Sequence, residues 1–197
     1  PETITISGEK TWSDVNNQDG KRPTHIYISL LADGEVIQKD AIVAESGWKW
    51  SFTNLPKYKA GQEIVYSIAE DTVDGYITVI DGYNVTNSHT PEVVSVSGTK
   101  VWNDGNNQDG IRPNSVIVYL WANGEPYTQK EVKADVNGEW KYSFENLPKY
   151  KNGREIDYTI TESSVAGYTS QIEDRQDPVK RYNLINTHKP AITNVYV

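Results

Sequence analysis

Apolar and polar residues alternate at the start of each half of the chain, which is typical of a β-strand with one buried face. Successive side chains of a strand point to opposite sides, so every second residue shares a face. The apolar faces consist of Ile4, Ile6, Gly8, Lys10 and Trp12 in the first half and Val94, Val96, Gly98, Lys100 and Trp102 in the second. Each apolar face therefore contains a lysine, and a buried lysine is unfavourable unless another group neutralises it or reacts with it.

The same period of two recurs farther along each half. Apolar side chains alternate at Ile26, Ile28 and Leu30, at Trp48, Trp50 and Phe52, and at Trp140, Tyr142 and Phe144. No window shows a helical period over the length that a helix needs. The spacing of the turn residues predicts an all-β chain in which each half is a β-sandwich of about seven strands.

The two halves are copies of one another. Gly8-Glu9-Lys10-Thr11-Trp12 reappears as Gly98-Thr99-Lys100-Val101-Trp102, and Asn54-Leu55-Pro56-Lys57-Tyr58 reappears as Asn146-Leu147-Pro148-Lys149-Tyr150. Each copy is long enough to bury a core of its own, so we predict two tandem domains at residues 1–90 and 91–190. Residues 191–197 resemble the start of another such strand, and we expect a further repeat or a linker there.

The composition fits a β-rich chain and argues against several classes of function. The 197 residues include 13 Tyr and 6 Trp but only 2 Phe, and neither Cys nor Met. Aromatic and β-branched residues favour strands. A formal net charge of -8 argues against a nucleic-acid partner, and no apolar run is long enough to cross a membrane. Without cysteine, the chain has neither disulfides nor thiol chemistry.

Two further polar residue types lie in phase with the predicted core. Every second residue from Ile64 leads to Glu70, and every second residue from Ile156 leads to Glu162. The last strand of each half carries an asparagine in phase with its apolar residues in the same way. The side chains predicted to point inward are Lys10, Glu70 and Asn87 in the first domain and Lys100, Glu162 and Asn186 in the second.

These three residue types have complementary chemistry when they are buried. Burial disfavours both charged forms, which lowers the pKa of a lysine from about 10.4 and raises the pKa of a carboxyl group. A neutral amine is a nucleophile, and a protonated carboxyl group can polarise an asparagine carboxamide toward attack. Attack with loss of ammonia would leave an amide between lysine and asparagine, formed once per domain.

Two plainer interpretations compete with this reaction. The lysine and glutamate could form a buried ion pair, with the asparagine filling the remaining hydrogen bonds. Alternatively, all three side chains could lie at strand ends in water, which is the usual location of a lysine or a glutamate.

Other candidate sites are weaker. The loops at residues 14–20 and 104–110 are acidic, but they lack the glutamate of a calcium-binding EF-hand loop, and turn capping by Asn and Asp explains them better. The three histidines are not at metal-ligand spacing. Trp48 and Trp50 could stack on a sugar, but they are in phase with the core, where such side chains are usually buried. We therefore expect no metal and no cofactor.

Five segments of the second copy form a specific combination: Gly98-Thr99-Lys100-Val101-Trp102, residues 106–113, Asn146-Leu147-Pro148-Lys149-Tyr150, Tyr158-Thr159-Ile160-Thr161-Glu162 and Ile185-Asn186-Thr187-His188. Taken together, these segments resemble the B-type repeats of the staphylococcal collagen adhesin, the CnaB family of Gram-positive surface adhesins and pilins. The resemblance spans both copies and implies prealbumin-like, inverse immunoglobulin β-sandwiches. It also implies isopeptide bonds joining Lys10 to Asn87 and Lys100 to Asn186, with Glu70 and Glu162 as the promoting acid/base residues.

The function expected from these features is structural. The chain would be a stalk or spacer segment of an adhesin attached to the cell wall outside a Gram-positive bacterium. The alternative is a module that itself binds a host protein or a glycan. A turnover enzyme is not favoured, because the reactive side chains would be consumed in one intramolecular reaction. As partners we expect neighbouring repeats of the same chain and an extracellular-matrix ligand bound by another region, with no nucleic acid, no membrane and a monomeric state.

Overall fold

The computed structural model describes residues 1–175 and 180–194. For Lys180 it describes the backbone but not the side chain. The described chain divides into two compact units. The first contains Pro1–Pro91 and Tyr150–Arg154, and the second contains Glu92–Lys149 and the chain from Glu155 onward. No helix in these described ranges is long and apolar enough to cross a membrane.

The first unit consists of strands and one short 3-10 turn. The strands are β1 (Thr3–Ser13), β2 (His25–Ala32), β3 (Glu35–Val43), β4 (Lys49–Pro56), β5 (Tyr58–Lys59), β6 (Gln62–Glu63), β7 (Tyr66–Glu70), β8 (Ile77–Asp81) and β9 (Asn84–Ser88), and the 3-10 turn is Ala44–Ser46. They form a four-stranded sheet in the order β4-β1-β9-β8, a three-stranded sheet β3-β2-β7 and a small hairpin β5-β6. The first and last strands, β1 and β9, are neighbours and run parallel.

The second copy of the sequence repeat has the same arrangement. Its strands are β10 (Val93–Asn103), β11 (Val116–Ala122), β12 (Glu125–Val132), β13 (Lys141–Pro148), β14 (Tyr150–Lys151), β15 (Arg154–Glu155), β16 (Tyr158–Glu162), β17 (Thr169–Arg175) and β18 (Lys180–Thr187). The sheets are β13-β10-β18-β17 and β12-β11-β16, with the hairpin β14-β15. Again the first and last strands pair in parallel. Residues 191–194, part of the predicted further repeat, form no strand, and residues 195–197 lie outside the described residues.

The core of each unit lies between its two larger sheets. In the first unit it includes Ile6, Phe52 and Val85 from the four-stranded sheet and Ile28, Leu30 and Ile68 from the three-stranded sheet. The equivalent residues of the second unit are Val96, Phe144, Leu184, Val118, Leu120 and Ile160. All of them occupy positions of the period-two apolar faces. The prediction of an all-β fold with two tandem β-sandwiches is therefore confirmed.

A glycine on the first strand of each unit allows the parallel strand to approach. An added Cβ atom at Gly98 would lie 1.8 Å from the carbonyl oxygen of Tyr182, and one at Gly8 would lie 1.7 Å from that of Tyr83. No side chain fits at such distances. The glycine two residues before each inward lysine is therefore required for the close packing of the first and last strands.

Candidate functional site

In the first unit, the sandwich brings Lys10 of β1 against Glu70 of β7. The two residues come from opposite sheets, and both point inward because each lies in phase with the apolar residues of its strand. The Lys10 Nζ atom lies 2.5 Å from the Glu70 Oε1 atom, and both side chains are 0% exposed. Removal from water lowers the pKa of the Lys10 amine, although the Glu70 carboxylate acts in the opposite direction.

The second unit has the same pair in a looser geometry. The Lys100 Nζ atom lies 3.4 Å from the Glu162 Oε1 atom, and the side chains are 0% and 2% exposed. The amine donates instead to the carbonyl oxygen of Val101 at 3.3 Å. Removal from water lowers the pKa of Lys100 to about 8. A lysine with this pKa is partly neutral near physiological pH, and its neutral form is a nucleophile.

The asparagine of each unit lies on the strand next to the lysine. Lys10 is opposite Val85 and Trp12 is opposite Asn87, so Asn87 is two positions along β9 on the inner face. In the second unit, Lys100 is opposite Leu184 and Trp102 is opposite Asn186. The structure thus brings lysine and asparagine to one face of two adjacent strands, with the glutamate facing them from the other sheet.

Both asparagine side chains are buried without partners. Asn87 and Asn186 are each 0% exposed. Neither the Oδ1 nor the Nδ2 atom of either one has a hydrogen-bond partner within the described part of the chain. Burying a polar group unpaired costs about 1–3 kcal/mol, and such groups are rare in folded proteins. A carboxamide left in this state beside a buried amine needs a functional explanation.

A tryptophan covers the amine in each unit. The Nζ atom of Lys10 lies 4.6 Å from the ring centroid of Trp12, and that of Lys100 lies 4.2 Å from the ring centroid of Trp102. Trp12 in turn packs edge-on against Tyr76 with ring centroids 5.0 Å apart. The aromatic rings cover the amine, and they stabilise its charged form through cation–π attraction.

Sequence reasoning missed a hydroxyl group beside each glutamate. The Thr78 Oγ1 atom donates to Glu70 Oε2 at 2.9 Å, and the Ser170 Oγ atom donates to Glu162 Oε2 at 3.0 Å. One signal could have identified them, since each follows a Gly-Tyr pair by two residues in its copy of the repeat. Each glutamate thus has one oxygen toward the lysine and the other toward a hydroxyl group.

The first aspartate of each acidic loop accepts hydrogen bonds from its own loop, from the arginine that follows the loop and from a tyrosine distant in sequence. Asp104 accepts from the guanidinium group of Arg112 at 2.6 and 2.9 Å, from the hydroxyl group of Tyr168 at 2.8 Å and from the backbone N–H of Asn107 at 2.9 Å. The Arg112 hydrogen bonds hold the pKa of Asp104 far below its usual range. Asp14 has the same set of contacts in the first unit. These carboxylates cap a turn and bind an arginine, as the turn-capping interpretation expects.

The histidines at the ends of the last strands contact the same loops. The Nε2 atom of His89 lies 2.9 Å from Asp19 Oδ2, and its Nδ1 atom lies 2.8 Å from the carbonyl oxygen of Gly75. The Asp19 hydrogen bond raises the pKa of His89. His188 makes the equivalent contacts with Asp109 and Gly167. Over residues 1–175 and 180–194, no group of three or more His, Asp or Glu residues could hold a metal ion.

Comparison with known proteins gives a consistent result. The model of the Cna protein B-type domain matches residues 6–88 and 96–187. A collagen adhesin of Staphylococcus aureus is 40% identical over 198 residues, which cover 99% of this chain and 16% of that protein. The chain therefore spans about one sixth of the length of this relative.

Two solved structures of the collagen-binding surface protein of Staphylococcus aureus are also similar. A single B repeat unit is 36% identical, with a TM-score of 0.45, and the match covers 96% of this chain and 100% of that chain. A pair of B repeat units is 36% identical, with a TM-score of 0.46, and the match covers 98% of this chain and 51% of that chain.

Proposed function

This chain belongs to the Cna protein B-type domain family, and from this premise we propose that it is a spacer segment of a longer adhesin on a Gram-positive cell wall. Each unit stiffens itself with one autocatalytic isopeptide bond. The bonds join Lys10 to Asn87 and Lys100 to Asn186, and Glu70 and Glu162 promote them. The chain is a structural element, because each reaction consumes its own nucleophile and runs once.

The observation that carries this proposal is the unpartnered carboxamide beside a buried amine. An ion pair alone would account for the lysine and the glutamate, but it leaves both polar atoms of Asn87 without hydrogen bonds. An isopeptide bond removes the buried ammonium charge and expels the Nδ2 atom as ammonia. It therefore relieves two unfavourable features of the unreacted site in one step.

The proposed reaction balances with the residues that are present. Glu70 takes a proton from the Lys10 ammonium group, and the lone pair on Nζ attacks the Cγ atom of Asn87 while the acid donates to Oδ1. A C–N bond forms, and a second proton passes from Nζ through the carboxylate to Nδ2. The Oδ1 proton then returns to the carboxylate as the C=O bond re-forms and the Cγ–Nδ2 bond breaks. The products are a secondary amide and ammonia, and the ammonia takes this last proton from the carboxyl group and leaves as ammonium, so the carboxylate is regenerated.

Such a bond stabilises the fold chiefly because it lowers the conformational entropy of the unfolded chain. It closes the chain between the first and last strands, and a disulfide of similar span stabilises a protein by about 4 to 5 kcal/mol. Unlike a disulfide, an amide does not respond to the redox conditions outside the cell. This property suits a surface spacer without cysteine.

The partners of the whole adhesin belong to the same proposal. We expect neighbouring repeats to continue the spacer on the same chain. We assign an extracellular-matrix ligand to another region of the adhesin, because the polar side chains singled out in this chain are directed into the sandwich interiors. The spacer then contributes length and stiffness to the adhesin, and another region binds the ligand.

Intact mass spectrometry under denaturing conditions tests the proposal. We expect the chain to be lighter than its sequence by two molecules of ammonia, and peptide fragmentation to find branched peptides joining Lys10 to Asn87 and Lys100 to Asn186. Glu70→Ala and Glu162→Ala should each restore one ammonia, whereas Glu9→Ala, at an exposed position of β1, should restore none. A full sequence mass for the unmodified chain would overturn the proposal.

A further inference from the structure

A hydroxyl group on the edge strand binds the promoting glutamate in both units. In the first unit, Glu70 Oε1 contacts the amine at 2.5 Å, while Oε2 accepts from Thr78 at 2.9 Å. In the second unit, Oε2 of Glu162 accepts from Ser170 at 3.0 Å. The residue type differs between the copies, but the donor atom, the acceptor atom and the distance are nearly the same.

The position of this hydroxyl relative to the asparagine is also repeated. Thr78 of β8 is directly opposite Asn87 of β9, and Ser170 of β17 is directly opposite Asn186 of β18. The glutamate reaches this hydroxyl from the other sheet. The side chain of Glu70 is completely buried, although Thr78 itself is exposed on the edge strand. The hydroxyl group therefore links the carboxylate of the glutamate, by a hydrogen bond, to the edge strand that pairs with the strand of the asparagine.

We propose that Thr78 and Ser170 are positioning residues for isopeptide formation, a role that rests on the proposed function of the site. The hydroxyl occupies Oε2 and fixes the plane of the carboxyl group. Oε1 is then directed at the lysine, where it takes the proton. The same hydrogen bond holds the carboxyl group beside the strand that carries the asparagine, where it returns a proton to the leaving nitrogen.

Within the part of the chain that the structure describes, this hydroxyl is the hydrogen-bond donor to Oε2 of the glutamate in each unit. The carboxyl group can rotate about the last side-chain bond, because such terminal torsions have broad minima. A buried carboxylate oxygen without a donor is also unfavourable. Without the hydroxyl, the carboxyl group would turn both oxygens toward the lysine or admit water. Either arrangement moves it away from the carboxamide, and displacements of about 1 Å can slow a positioned reaction about 100-fold.

A time course of bond formation tests the role directly. The full chain is made in a reconstituted translation mixture, samples are quenched in denaturant at intervals, and intact mass with peptide fragmentation gives the bonded fraction of each unit. Thr78→Val keeps the shape of the side chain but removes the hydroxyl, and it should slow the bond of the first unit by about 10- to 100-fold. Thr78→Ser keeps the hydroxyl and should restore the rate.

The second unit supplies an independent pair of variants. Ser170→Ala should slow only the Lys100–Asn186 bond, and Ser170→Thr should leave its rate close to that of the unmodified chain. Thr53→Val, at an exposed position of β4, is the control for replacing a threonine on a strand. Circular dichroism of each purified variant shows whether it has folded, so that a slow reaction is not confused with a failure to fold.

Rescue by the conservative variants separates positioning from a purely structural role. Thr78→Ser and Ser170→Thr keep a hydroxyl donor for Oε2 of the glutamate, so they should keep the unmodified rate while Thr78→Val and Ser170→Ala lose it. If Thr78→Val and Ser170→Ala fold and react at the unmodified rate, the positioning role is wrong while the proposed function stands. If the unmodified chain forms no bond, the proposed function itself fails.

Discussion

Lys10 and Asn87 lie two positions apart in register on the inner face of the parallel pair β1 and β9, because Lys10 is opposite Val85 and Asn87 is opposite Trp12. The pair belongs to the first and last strands of the unit. A bond between these two side chains would therefore close almost the whole unit into one covalent loop. Lys100 and Asn186 have the same relationship across β10 and β18.

This register also determines which residues would carry tension. A force applied to the two ends of the first unit enters at the start of β1 and leaves at the end of β9. With Lys10 joined to Asn87, the load would pass along β1 to the lysine and across the bond to the asparagine. Residues 11–86 would lie outside the load path. The hydrogen bonds of the sheets would then not have to resist the pull.

Gly98→Ala should destabilise the second unit by about 3 kcal/mol or more, which is the upper range for overpacking a core. The added Cβ atom would lie 1.8 Å from the carbonyl oxygen of Tyr182, so β10 and β18 must separate. Denaturant unfolding of the variant measures the loss. Ser97→Ala, at the neighbouring outward position of β10, is the matched control and should change stability by less than about 0.5 kcal/mol. Equal stability of the two variants would contradict the close-approach argument.

The inward positions of the site could be predicted from the sequence because the period of a strand is a local property. Lys10, Glu70 and Asn87 each lie in phase with apolar neighbours on their own strand, and each side chain is buried in the structure. The repeat gave the same result a second time with Lys100 and Glu162. No knowledge of strand pairing was needed for these predictions.

The rest of the site depends on register between strands that are distant in sequence. The hydrogen bond from Thr78 to Glu70 exists because β8 pairs with β9 while β7 lies in the other sheet. The carboxylate of Asp14 is likewise reached by Tyr76, which is 62 residues away. Periodicity within one strand contains no information about such contacts. The lysine–glutamate distance also differs between the two units, 2.5 Å in the first and 3.4 Å in the second. Their near-identical motifs do not predict this difference.

Asn186→Ala should make the stability of the second unit depend on pH, because Lys100 then stays a free buried amine. Its pKa is about 8 in the folded chain, whereas the ordinary pKa of a lysine side chain in water is 10.5. Between pH 8 and pH 10.5 the unfolded chain binds more protons than the folded chain, so the free energy of unfolding rises with pH. From pH 7 to 9.5 we expect a rise of about 2 kcal/mol in denaturant titrations.

The unmodified chain and a double variant are the controls for this pH effect. With the isopeptide bond in place, Lys100 no longer titrates, so the unmodified second unit should lack this rise. Lys100→Met combined with Asn186→Ala also removes the titrating amine and should lack it. A single variant whose stability stays flat from pH 7 to 9.5 would show that the folded environment does not disfavour the charged lysine.

Single-molecule stretching tests whether the proposed bonds remove each unit from the load path. In the unmodified chain, we expect the first unit to give no unfolding step, because the proposed link from Lys10 to Asn87 would hold residues 11–86 inside a closed loop. Asn87→Ala opens this loop and should release roughly 250 Å of chain in one step, at about 3.3–3.6 Å per residue. Asn186→Ala should give the equivalent step from the second unit only. An unfolding step of this length in the unmodified chain would mean that tension passes through the sheets, and the spacer would then owe its stiffness to noncovalent packing.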